Sequence, residues 1–187
     1  MPARLRPPPH PKTEVTDSVV DVIGDRWGVN EPEVARAYGC DAFEPAPTMQ
    51  AWRGVTVAAE APVVWARVRQ VRVAPYSYDL VDNLGRRSPR ELLDVPEPVV
   101  GDPFTRAFGR DQGRVVAVDP GRELTAVIMG AHMSYAVVPG EGGTRLLLKV
   151  VAATSRLVSP ALCVGDLVMA RKQLLTLAAL AEADARG

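Results

Sequence analysis

Tyr76, Tyr78 and Asp79 stand together just after Pro75, a place where a phenol or a carboxylate can face the mouth of a pocket and exchange hydrogen bonds with a ligand. The same spacing also fits a helix cap, because Asp82 lies three residues beyond Asp79. In that case the two tyrosines bury their rings and keep their hydroxyls at the rim. His132 and Tyr135 form a second group. Strand alternation puts His132 with Ser134 on one face and Met133, Tyr135 and Val137 on the other. The second set is the more apolar and is expected to point inward. The reverse orientation would make His132 the best general-base candidate in the chain. Arg106, Arg110 and Arg114 are the third group: Arg106 and Arg114 could grip a ligand carboxylate, but solvated outward positions are the preferred reading.

Several chemistries are excluded on the same residues. No Gly-x-Ser-x-Gly elbow occurs, and Ser134 is too near His132 in one strand to be activated by it, which removes a Ser-His-Asp hydrolase. Gly140, Gly142 and Gly143 join two strands with no Lys-Ser/Thr after them, so they form a turn and not a phosphate cradle. His10 and His132 are the only histidines, and Cys40 and Cys163 are far apart. No metal site, cofactor or disulfide framework is therefore expected. The 187 residues are 47% hydrophobic and carry 22 basic against 22 acidic side chains, so no nucleic-acid partner is expected. The head of the chain lacks the apolar core of a signal peptide, and no later stretch is long and apolar enough for integral membrane association. A cytoplasmic location is expected. Neutral net charge with a pI near 6.7 leaves a homodimer open.

These residues need elements to position them. Residues 1–16 read as a disordered proline-rich arm, and 17–48 as a helical extension. Within the extension, one helix is expected over 17–27. A second begins at Asn30, where Glu33 completes a capping box and Gly39 supplies a stop. Residues 50–59 read as a strand. A helix over 62–71 follows, with Val64, Val68 and Val71 on one stripe and Arg67 and Arg72 elsewhere on its circumference. Pro75 breaks it, and a second short helix is expected over 76–85. Beyond Pro98 the short runs 102–108, 113–119, 123–129, 131–138 and 144–154 read as antiparallel strands, with turns at 119–122 and 140–143. A long helix over 160–184 presents Cys163, Leu167, Ala170, Leu174, Leu177 and Ala181 on one stripe.

From Trp52 to Arg156 the chain resembles bacterial members of the START-like (SRPBCC) superfamily, which includes polyketide cyclase/dehydrases and lipid-transfer domains. The resemblance is carried by Val55-Thr56-Val57 with Ala61-Pro62-Val63-Val64-Trp65, by Tyr76-Ser77-Tyr78-Asp79 with Asp82-Asn83-Leu84, and by Gly143-Thr144-Arg145-Leu146. Arg26-Trp27-Gly28 looks like the amino-terminal extension that some members carry. The resemblance implies an α+β helix-grip fold over residues 49–187: a curved antiparallel sheet of about six or seven strands around a long C-terminal helix, with two short helices after the first strand. It also implies a hydrophobic cavity between sheet and helix. Trp65, Tyr76, Tyr78 and Arg106 are assigned to that cavity, together with His132, Met133, Tyr135, Leu167 and Leu174. Binding of a small hydrophobic molecule, lipid or polyketide-like, is the first expectation. A cyclase/dehydratase-like enzyme using Tyr, Arg and His132 is the alternative, and an interaction module whose cavity is filled by Trp52, Trp65 and Met133 is a second alternative.

Overall fold

A computed structural model describes residues 24–78, 87–107, 109–154 and 159–187, with side chains except those of 159–166. The expected arm, residues 17–23 of the first helix and residues 79–86 lie outside the described residues.

The first long strand, β2 (Met49–Val57), closes on β-branched Val55, Thr56 and Val57 and is buried on both faces over Ala51–Gly54. Glu60 then starts α2 (Ala61–Gln70), with Pro62 in its first turn, where a missing amide hydrogen costs nothing. Val64, Val68 and Val71 are buried as their spacing implied. Arg67 is not on a solvated side: its side chain is only 1% exposed, for reasons given below. Then come β3 (Pro103–Ala107), β4 (Arg110–Asp119), β5 (Glu123–Ile128), β6 (Ala131–Gly140) and β7 (Gly143–Ala152), and last α3 (Ser159–Asp184). The turns fall where expected: Arg122 N–H donates to the Asp119 carbonyl at 2.9 Å. Gly121 and Gly142 adopt φ of 79° and 81°, which glycine tolerates without a Cβ clash.

The sheet order is β1-β2-β7-β6-β5-β4-β3. The seventh strand, β1 (Arg26–Trp27), comes from the extension and pairs parallel to β2, Arg26 opposite Trp52. This corrects the helix expected to reach Trp27. β2 has an otherwise open edge, and its amides find partners there: Trp52 N–H donates to the Asp25 carbonyl at 2.7 Å. Buried Arg53 adds Nη1 bonds to the carbonyls of Asp25 (2.5 Å) and Trp52 (2.9 Å). The remaining pairs are antiparallel, and a register shift between Val115 and Ala117 marks a bulge, which bends a strand locally. The result is a curved sheet with the long helix packed on it.

α3 has 26 residues and is about 39 Å long at 1.5 Å per residue. Its Ala170, Leu174, Leu177, Ala178 and Ala181 join one core with Trp65, Tyr76, Phe104, Leu124, Tyr135 and Leu148 on the concave side. A second core lies on the convex side, where Tyr38 and Cys40 pack on Trp52, Ala136, Leu147 and Val151. The extension supplies it. Asn30 caps α1 (Glu31–Ala35), and the capping box with Glu33 forms at 3.0 Å both ways. Gly39 does not stop this helix, which ends at Ala35; instead it opens a 3-10 turn, Gly39–Ala42. Its lack of a side chain lets the turn lie on the sheet, since a Cβ there would overlap Thr125 Oγ1. The second short helix does not include Tyr76–Tyr78: Tyr76 is left-handed, φ 57°, and its N–H donates to Ser88 Oγ at 3.3 Å. Among the described residues no helix is long and apolar enough to cross a membrane.

Gly39→Ala is expected to destabilise the protein by about 1–3 kcal/mol, the usual cost of overpacking, in a urea titration. An unchanged midpoint would mean that the turn does not sit against Thr125.

Candidate functional site

Burial changes along the concave face. At the inner end Leu124, Ala126, Tyr135 and Val137 are 0–2% exposed. Two residues further along the same strands, toward the β5–β6 turn, Ile128, Ala131 and Met133 face the same side but are only half-buried. Leu167, on the part of α3 nearer its start, is half-buried too, whereas Leu174 is fully buried. Among the described residues, these inward-pointing apolar side chains, packed against the core but only partly covered, mark the more open end of the concave face.

The structure sorts the sequence-derived site residues. Trp65, Tyr76, Tyr135 and Leu174 belong to one buried cluster, with Met133 packed against it. Tyr78 is 41% exposed, Arg106 is exposed on β3, and Arg110 and Arg114 are exposed on β4. Asp79 lies outside the described residues. His132 is on the convex side, where its ring stacks on Phe43 at 5.5 Å. Its neighbour Ser134 also faces that side and accepts from Cys40 N–H at 2.9 Å. His132 and Tyr135 therefore cannot serve one cavity. Trp52, a proposed cavity filler, likewise sits in the convex core.

The polar groups under the concave face bond to one another. Tyr135 O–H donates to Gln173 Oε1 at 2.6 Å, and Gln173 Nε2 donates to the Pro75 carbonyl at 2.6 Å. Gln70 Nε2 donates to Tyr76 Oη at 2.6 Å and to the Glu91 carbonyl at 2.8 Å. Trp65 Nε1 donates to both oxygens of Glu97, at 3.0 and 3.1 Å. Arg67 is the largest of these anchors. Its Nε and Nη2 each reach a carboxylate oxygen of Asp184 at 2.6 Å, while Nη1 and Nη2 donate to the carbonyls of Glu91 (3.1 Å) and Arg90 (3.0 Å). One guanidinium thus ties α2, the last turn of α3 and the 87–97 loop. Sequence reasoning missed Arg67, Gln70 and Gln173 because most of their partners, Asp184, Arg90, Glu91, Tyr135 and Pro75, lie tens of residues away. On the outer side of that loop a groove of about 310 Å³ is lined by Arg87, Ser88, Pro89, Arg90 and Glu91.

The convex side is also polar and closed. Lys149 is 5% exposed; its Nζ meets Asp41 Oδ1 at 2.5 Å and lies 5.5 and 5.1 Å from the Tyr38 and Trp52 rings. Burial pushes the Cys40 thiol up to about 11 and the Tyr38 phenol up to about 12. Hydrogen bonds from Arg145, at 2.7 and 2.9 Å, hold the Glu33 carboxyl below the usual carboxylate range. Among the described residues no group of three His, Cys, Asp or Glu could hold a metal ion.

No family model matches the chain, and no curated protein does. Among solved structures it is similar to a protein of Mesorhizobium loti (14% identity, TM-score 0.48, 70% of this chain and 95% of that one). It is also similar to an AHSA1-like protein of Rhizobium etli (19%, 0.45, 72% and 82%). A third similar structure is the di-domain ARO/CYC StfQ of the steffimycin biosynthetic pathway (13%, 0.45, 74% and 52%).

Asp184→Ala leaves the Arg67 charge buried without its carboxylate. Asp184 is itself 22% exposed, so the expected loss is about 2–3 kcal/mol, at or below the range for a fully buried pair, with recovery in the double variant Arg67→Met, Asp184→Leu. Equal chemical-denaturation midpoints for wild type and Asp184→Ala would refute the clamp. In the native protein at pH 8, Cys40 is expected to stay unlabelled by a disulfide reagent for as long as the fold persists, read by peptide mapping. Rapid labelling would show that the convex core opens.

Proposed function

We propose that the protein binds a small hydrophobic molecule, lipid or polyketide-like, between the sheet and α3, at the end of the concave face near the β5–β6 turn. The observation that carries this reading is the half-burial of Ile128, Ala131 and Met133 beside fully buried neighbours on the same strands. Apolar surface left facing inward is what a ligand covers, at roughly 25 cal/mol per Å² removed from water. Residues 49–187 would be the binding unit and residues 17–48 an amino-terminal extension, of which Tyr38 and Cys40 cover the convex side. A reduced, buried Cys40 suits a reducing compartment such as the cytoplasm.

A cyclase/dehydratase-like activity would need polar groups that converge on the bound molecule. His132 and Arg106 do not supply them beside Tyr135. The contacts available on the described concave face favour holding a ligand over moving its protons.

Native mass spectrometry of gently purified protein is expected to show an apolar adduct that leaves on denaturation. A fatty acid or aromatic polyketide present at about a hundredfold its Kd is expected to raise Tm by about 5–10 °C. Ala131→Phe, which fills the open end, is expected to abolish the adduct and the shift while the protein stays folded. A clean apo mass with no shift across the panel would overturn the reading in favour of a filled interaction module.

A further inference from the structure

The β5–β6 hairpin turns on Met129 and Gly130, both left-handed, with φ of 50° and 82°. Two-residue turns of this kind normally place Asn, Asp or Gly first, because those residues reach positive φ most easily. Here the first position holds a methionine, and it is 97% exposed. Turn geometry does not call for that side chain, and water does not favour it.

Its position gives it a use. Ile128 and Ala131 close the hairpin just behind the tip, and they are two of the inward-facing side chains left half-open. The tip therefore borders the open end of the concave face. The neighbouring β3–β4 hairpin reaches the same end of the sheet. Arg114 pairs with Val127 and Ala107 with Arg110, so the paired ends of β3 and β4 lie beyond the last residues of β5. Gly113, φ 62°, lets β4 pass so close that a Cβ there would overlap the Val127 carbonyl. From Arg106 to Arg114 that hairpin carries exposed Arg106, Arg110 and Arg114 against one acidic residue, Asp111, and its other acid, Asp119, lies at the far end of β4.

We infer that this end of the molecule docks on an anionic lipid bilayer, with Met129 entering the interface and the arginines meeting the lipid headgroups. The inference rests on the ligand-binding reading and names the surface from which the apolar ligand is collected. An exposed methionine and a cationic hairpin at one sheet end match an apolar layer beneath negative headgroups. The zero net charge of the whole chain means that attraction must come from this local excess.

The test is co-sedimentation of the full chain with vesicles of phosphatidylcholine alone or with about 30 mol% phosphatidylserine. The expected result is binding to the anionic vesicles only, weakened as salt rises. Arg110→Gln with Arg114→Gln is expected to lower partitioning about 25-fold, near fivefold for each charge removed. Met129→Asn is expected to lower it severalfold while Tm holds or rises, since Asn accepts the left-handed backbone. Absent wild-type binding, or binding unchanged by Met129→Asn, would overturn the docking. So would a wild-type dimer that Met129→Asn splits, because the tip would then be an interface between copies. Native mass spectrometry separates the two readings: an adduct retained by a wild type that ignores vesicles means that docking alone fails, and no adduct at all means that the pocket fails.

Discussion

The guanidinium of Arg67 has almost no contact with water, and a charge in that position is tolerated only where a carboxylate and further acceptors surround it. Asp184 supplies the carboxylate from the last turn of α3, and the carbonyls of Arg90 and Glu91 supply acceptors from the loop beyond α2. The arrangement fixes one end of a rigid rod. Ala58 N–H donates to Glu182 at 3.0 Å and holds the same end to the close of β2. Gln173, bonded to Tyr135 and Pro75, holds the middle. With its end and middle fixed, α3 is set over the sheet, and among the described side chains its polar anchors cluster from the middle of the helix to its end.

The convex side makes the same sheet stiff. β7 presents Leu146, Leu148 and Val150 to one core and Leu147 and Val151 to the other. A strand covered on both faces reads as a nearly continuous apolar run, as this one does. Lys149 interrupts the run and is tolerated because Asp41 neutralises it between two aromatic rings. The extension that brings Asp41 also brings β1, so one short segment closes an edge and a face. A sheet bound on both faces offers little freedom to widen the concave space by bending, which leaves that space to be set by the helix side.

The strands, the two glycine turns, the long helix and the Asn30 cap were all legible because each is written in neighbouring residues. Alternation was enough to point Met133, Tyr135 and Val137 inward and to leave Ser134 outward, where it meets Cys40. β1 was not legible: two residues carry no period, and Trp27 suits a helix face as well as a strand. Gly39 was read as a helix stop because its close approach to Thr125 is a contact 86 residues distant in sequence, visible only after folding. Arg67 was set on the circumference of α2 because spacing shows where an apolar stripe lies but cannot show that an acid from the far end of the chain will neutralise a charge. The candidate site was legible only in part for the same reason: its apolar members follow strand period, and its polar anchors are pairings between distant segments.

The pairing of those polar groups limits the chemistry of the concave face. A donor already satisfied within the protein adds little to a ligand, since exchanging one hydrogen bond for another is nearly neutral. Tyr135 gives its proton to Gln173, and Gln173 gives its own to Pro75, so both are committed to holding α3. Among the described residues, what remains at the open end is apolar surface from the thioether of Met133, Ile128 and Ala131. Such surface recognises area and shape more than functional groups, and attraction through it is non-directional. Under the proposed ligand-binding reading, a molecule held there would therefore be selected by its size and shape rather than by its functional groups.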